Sequence, residues 1–173
     1  MSRLNNGEKG MQEEKPRLWS KDFIMMMVIS LLIFCGFQML LPTLPTYVKT
    51  LGGDDSIVGW IIGIVTIAAL LMRPFSGAIL DKFGRRGVFL AGIFGNILMT
   101  LAYNWFPIVG AILLIRFVHG LGWGAASTAG STIAADIIPK QRFGEGVGYY
   151  SLSTSLSLAV APGIGISVLA AFG

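Results

Sequence analysis

Few residues in this 173-residue sequence can carry charge chemistry, and several of them fall in one short stretch. Asp81, Lys82, Arg85 and Arg86 put one carboxylate and three cations within six positions, between Gly77 and Gly87. Such a mixture suits ion pairing. Elsewhere the polar groups stand singly in apolar surroundings: Gln38, Arg73, Arg116 and His119. Arg116 and His119 are three apart, so on a helix they share a face. An unperturbed histidine titrates near pH 6.5, which leaves His119 either a proton switch or a neutral, hydrogen-bonded packing group. With one histidine and one cysteine, Cys35, the sequence offers neither a metal cluster nor an intrachain disulfide. No nucleophile–base pair or phosphate loop is visible, so an enzyme reading has no residues to rest on and no cofactor is implied. Gly120, Gly122 and Gly124 imitate a dinucleotide-binding fingerprint, but no strand precedes them and they lie inside an apolar run.

The elements that position these residues follow from composition. Hydrophobic residues make up 54% of the chain and charged residues 13%, against about 25% charged in soluble domains. Mean hydropathy is +0.72. The apolar residues come in blocks long enough to cross a bilayer, because about 20 residues at about 1.5 Å each span the hydrocarbon. The pattern predicts an all-α membrane protein with spans over about 23–48, 57–80, 87–103, 106–137 and 144–172, preceded by a polar tail over 1–21 that is too poor in apolar surface to fold alone. Trp19 marks the membrane interface. Ser56 is placed to cap the second span, and Pro107 suits the first turn of the fourth. The first apolar run is too long for a cleavable signal peptide. The net charge of +4 sits mostly between apolar runs, which points to membrane orientation and away from nucleic acid.

Loop charges orient the chain. The tail carries Arg3, Lys9, Lys15, Arg17 and Lys21, the stretch after Gly77 carries Lys82, Arg85 and Arg86, and the last loop carries Lys140 and Arg142. The alternate loops hold only Lys49. The positive-inside rule therefore predicts a cytoplasmic N-terminus, a cytoplasmic hairpin at Gly84, and residue 173 on the extracytoplasmic side. Arg116 lies nine residues past Pro107, about 13 Å deep, where an arginine costs about 2.5–3.5 kcal/mol on insertion scales. That cost favours a watery cavity or a buried partner over snorkelling. Arg73 lies about 12 Å from Asp81 along its helix, so it either snorkels or faces a cavity. Gln38 either faces the same cavity or bonds a neighbouring helix. Gly120 with Gly124, and Gly144 with Gly148, have the four-residue spacing that lets membrane helices approach closely. Ala161-Pro162-Gly163-Ile164-Gly165 places a proline and two glycines within a span, as a hinge or a fixed kink. No carboxylate lies inside any span; Asp22 and Asp136 are at span ends.

These residues resemble three motifs of the major facilitator superfamily. The run Gly77-Ala78-Ile79-Leu80-Asp81-Lys82-Phe83-Gly84-Arg85-Arg86 resembles the family's signature between helices 2 and 3. Arg116-Phe117-Val118-His119-Gly120 resembles the helix 4 motif, with histidine where glutamine is frequent. Gly148, Ala161-Pro162 and Gly165 resemble the helix 5 motif of drug–proton antiporters, with alanine before the proline, Ser157 at an earlier glycine position and Ile166 at the last. The resemblance implies a partial N-terminal bundle packed around a central cavity, and alternating access between two halves. It implies a cytoplasmic latch at Asp81, Arg85 and Arg86, which Asp136 is placed to join, and proton coupling linked to Arg116.

The family has two six-helix halves, and five spans are present here, so the resemblance implies a chain that needs a missing second half or another chain. The function it implies is secondary active transport in the plasma membrane, as proton-coupled efflux of small or lipophilic molecules. The alternatives are a facilitator or importer of a polar metabolite, and a non-transporting membrane fragment or interaction protein. The implied partners are the lipid bilayer, a small-molecule substrate and protons, with no metal.

Overall fold

The computed structural model describes residues 16–172. The first fifteen residues, with the orienting cations Arg3, Lys9 and Lys15, and Gly173 lie outside the described residues. Five helices follow in order: α1 Lys21–Thr50, α2 Asp55–Phe83, α3 Arg85–Trp105, α4 Val109–Ile137 and α5 Phe143–Phe172, with a 3-10 turn at Lys140–Arg142. All five are long and apolar enough to cross a membrane. No strand occurs among the described residues. The fold is therefore all-α, a five-helix membrane bundle, as the apolar blocks predict.

Helix ends show why the chain turns where it does. Ser20 caps α1 by accepting from the Phe23 backbone N–H at 3.1 Å. Asp54 caps α2, accepting from Ile57 N–H at 2.8 Å. The expected cap, Ser56, lies inside the first turn instead. Pro107 also falls short of its helix, because α4 begins at Val109. The α2–α3 connection shrinks to Gly84 alone, at φ 79° and ψ 144°, a conformation that only glycine adopts without cost. Asp81 and Lys82 thus belong to the last turn of α2, and Arg85 and Arg86 to the first turn of α3. Two cations at a helix N-terminus oppose its dipole, so they need acidic company from elsewhere. In α1, Pro42 and Pro45 remove two helix donors, yet the helix continues to Thr50.

Helix α4 lies against α2 on one side and α3 on the other, while α1 packs along α5. Small residues set these distances. A Cβ at Gly120 would come within 2.5 Å of the Val65 carbonyl oxygen, and one at Gly124 within 2.7 Å of that of Ala69. Gly92 meets Ala126, and Gly165 meets the backbone of Met39. The spacing of Gly144 and Gly148 does not mark a contact, since both face open space. Gly146, between them, packs on Ile138. Just before α1, Leu18 is buried with Phe23 and Ile138. Trp19 sits on Tyr149 with ring centroids 4.8 Å apart, and Arg142 donates to the Pro16 carbonyl at 3.4 Å. The end of the tail is thus folded onto the α4–α5 corner rather than solvated, because Leu18 has an apolar seat there.

Candidate functional site

At the Gly84 end of the bundle, the Arg85 guanidinium pairs with the Asp136 carboxylate. The pair ties the first turn of α3 to the last turn of α4 and supplies the acidic company that this N-terminus needs. Both side chains are about half exposed, and such pairs contribute about 0–1 kcal/mol. The link is weak enough to break in a conformational change. Asp81 is exposed and has no ion-pair partner among the described residues. Arg86, Arg85, Asp22 and Asp136 rim a cleft of about 500 Å³ between α1, α3 and α4. Gly77 is exposed, with open space where a side chain would stand. Of the predicted latch residues, the fold joins Arg85 and Asp136, sets Arg86 at the rim of the same cleft, and leaves Asp81 and Gly77 exposed.

The second constellation is buried. Arg116 has no exposed surface, which rules out snorkelling. It donates one bond, from Nη2 to the Leu40 carbonyl at 3.2 Å. Its Cζ lies 5.9 Å from the Tyr103 ring centroid, within cation–π reach. Its Nε and Nη1 have no partner among the described residues.

His119 is held from both sides. Asn96 donates from Nδ2 to the Gly92 carbonyl at 2.8 Å, which turns its Oδ1 toward His119 Nε2 at 2.6 Å. Nε2 must then carry a proton. Nδ1 lies 3.1 Å from the Tyr103 hydroxyl and accepts from it in the neutral ring, so both nitrogens are satisfied. Asn96 and Tyr103 escape the motif reading. Their one sequence signal is a seven-residue spacing on α3, which places both on one face.

The aromatic neighbours are also specific. Phe37 stacks on Trp123 at 4.0 Å and 6°, and Phe34 meets Trp123 edge-on at 4.6 Å. An apolar hollow of about 360 Å³ between α1 and α3 has Asn96 and His119 in its lining. Gln38 is half-buried and makes no side-chain hydrogen bond among the described residues. Gly120, the last residue of the helix 4 motif, packs on α2 as described above.

On α5, Ala161 is buried, Gly165 lies against Met39, and Ser157 donates to the Leu31 carbonyl at 2.9 Å. Gly165 and Ser157 seat α5 on α1. Gly148 is exposed and takes no part in that seam. The helix is continuous through Pro162. Among the described residues, no group of histidine, cysteine and acidic side chains could hold a metal ion.

The sequence comparisons agree with this architecture. The chain is 28% identical over 137 residues to Quinolone resistance protein NorA of Staphylococcus aureus (strain Mu50 / ATCC 700699), covering 78% of this chain and 34% of that protein. It is 25% identical over 151 residues to Multidrug resistance protein 2 of Bacillus subtilis (strain 168), covering 87% of this chain and 38% of that protein. The chain spans about a third of the length of these curated relatives. The family model for the Major Facilitator Superfamily matches residues 26–173, which take in all three motifs and nearly all of the helical bundle. This multi-pass membrane chain belongs to the Major Facilitator Superfamily of transporters.

Proposed function

We propose that this chain is the amino-terminal part of a secondary transporter of the plasma membrane that exports small or lipophilic molecules in exchange for protons. Its N-terminus and the Gly84 hairpin face the cytoplasm, and residue 173 faces the other side. The observation that carries the reading is the division of charge at the hairpin. Arg85 is held by Asp136 across α3 and α4, while Asp81 stands exposed at the end of α2. A carboxylate in that position is available to a partner beyond these five helices, and a latch between two halves requires one. Resistance to quinolones and to multiple drugs, for which the two relatives are named, supports a drug-like substrate. Among the described residues every carboxylate sits near a helix end. Arg116, fully buried, is the charge to which proton coupling is assigned.

The test is Asp81→Asn in the complete protein. The substitution removes charge without changing shape or hydropathy by much, so insertion and abundance should stay as in the unaltered protein. Transport into or out of vesicles should fall by about 5–150-fold, the range of an ordinary conformational coupling energy. Unchanged transport would show that Asp81 latches nothing.

A further inference from the structure

Arg116 carries more donors than its neighbours satisfy. Nη2 reaches the Leu40 carbonyl, while Nε and Nη1 have no partner among the described residues. The Tyr103 ring accommodates the charge but gives those N–H groups no acceptor. Arg116 has no exposed surface, so a group from outside the five helices does not touch it. Buried donors left unpaired are costly, and the acceptors for them have to lie inside the bundle.

Helix α1 has acceptors to spare. A proline has no N–H, so Pro45 leaves the Leu41 carbonyl without the amide four residues on, and Pro42 does the same to Gln38. In membrane helices such carbonyls are taken up by nearby hydroxyls, neighbouring helices or ordered water. The hydroxyls of this stretch go elsewhere: Thr43 donates to the Met39 carbonyl at 2.8 Å and Thr46 to that of Pro42 at 3.1 Å. The two freed carbonyls differ in direction. Leu41 shares a face with Phe37, which stacks on Trp123 of α4, and with Leu44, which is buried with Ile112 of α4. Its carbonyl is also the next along the helix from that of Leu40, which already receives Arg116. Gln38 lies about 200° round the helix from Leu40, so its carbonyl is on the far side.

We infer that a buried water site joins Arg116 to the Leu41 carbonyl, and that Pro45 creates it. The guanidinium makes no direct bond to that carbonyl, and polar groups beyond direct reach of each other are linked by water. The break that a proline makes in the i→i−4 ladder is a place where water inserts. A water there accepts from Nε or Nη1 and donates to the Leu41 carbonyl, the two partners that a buried water needs. The site keeps Arg116 charged and buried although no carboxylate among the described residues pairs with it. It follows from the geometry of α1 and α4 alone, whatever the protein transports.

Two measurements on the complete protein test this. A structure at a resolution that shows ordered water should place one within about 3.2 Å of both the Leu41 carbonyl oxygen and Nε or Nη1 of Arg116. A dry contact there would overturn the inference. The second measurement is a double-mutant cycle, read by unfolding in mixed micelles with increasing SDS. Pro45→Ala returns an amide to the Leu41 carbonyl. In an Arg116→Met background it should raise the folding equilibrium constant, as replacing proline by alanine does inside a helix. With Arg116 present the gain should be about fivefold smaller, the worth of one ordinary hydrogen bond. Pro42→Ala should give equal gains in the two backgrounds, because the Gln38 carbonyl is on the far side. Equal gains for Pro45→Ala would overturn the inference. So would the same coupling at Pro42, since the cycle would then be reading helix stiffness and not an acceptor. The water is sought in the unaltered protein, so the test stands even if Arg116→Met fails to fold. Neither readout involves flux, so a failure here leaves the transport reading intact, and a failure of transport leaves the water site intact.

Discussion

His119 is satisfied at both ring nitrogens, and this gives it a structural role that requires no change of protonation. Asn96 takes the Nε2 proton and Tyr103 supplies one to Nδ1. Glutamine offers the same pair of functions, an amide N–H for Asn96 and a carbonyl oxygen for Tyr103. We therefore expect His119→Gln to preserve stability to within about 1 kcal/mol. His119→Leu should cost about 1–3 kcal/mol, since it leaves the Tyr103 hydroxyl and Asn96 oxygen buried without partners. Interhelical hydrogen bonds in membranes average about 0.6 kcal/mol, so most of the loss comes from the orphaned groups. Unfolding in mixed micelles with increasing SDS measures both variants. In vesicles the pH profile of transport by His119→Gln should overlay that of the unaltered protein. A glutamine variant as unstable as the leucine variant, or a shifted profile, would return His119 to the role of a proton carrier.

Helix α4 draws its place in the bundle from what it lacks. Gly120 and Gly124 let it lie against the backbone of α2, whereas Gly122, between them, faces open space. The same substitution should therefore have opposite signs at neighbouring sites. Gly122→Ala adds helix propensity and should stabilise by up to about 1 kcal/mol. Gly120→Ala drives a methyl toward the Val65 carbonyl and should cost about 1–3 kcal/mol as overpacking. Matched losses at both positions would mean that glycine acts here through flexibility, not through close approach. The example also shows what a single sequence can convey about this fold. The five spans are readable because their apolar runs match the bilayer in length, and the Gly84 corner is readable because charges interrupt those runs. Pairing between helices is not local. Four-residue glycine spacing marks a face without saying what meets it, so Gly120 and Gly124 find α2 while Gly144 and Gly148 find nothing. Asn96 and Tyr103 read as stray polar residues until α4 brings His119 against them. Asp54 and Ser56 could each cap α2, and their order of competence is set by backbone geometry.

Across the whole bundle, three contacts stand out: α2 on α4, α1 on α5 and α3 on α4. Exchanging α1 with α4 and α2 with α5 turns the first two into each other. That is the pattern of two three-helix repeats in inverted order, a recurrent plan in this superfamily. Under the same exchange, the packing of α3 on α4 corresponds to a sixth helix on α1. The face of α1 available for it is open. Leu32 is 63% exposed, and the apolar hollow of about 360 Å³ runs beside it toward Ile97 and Leu101 of α3. The relatives are about three times as long as the matched region, so they have chain enough to fill it. We expect a longer form of this protein to place an apolar helix in that groove, over His119 and Asn96. A spin label at Leu32→Cys, in a Cys35→Ser background, reports the difference through its accessibility to dissolved oxygen, which is high in lipid and low in a packed interior. The label should be shielded in the longer form and accessible when residues 1–173 are inserted alone. Equal accessibility in both would mean that the groove faces lipid throughout, and that the exchange relating these five helices does not extend to a sixth.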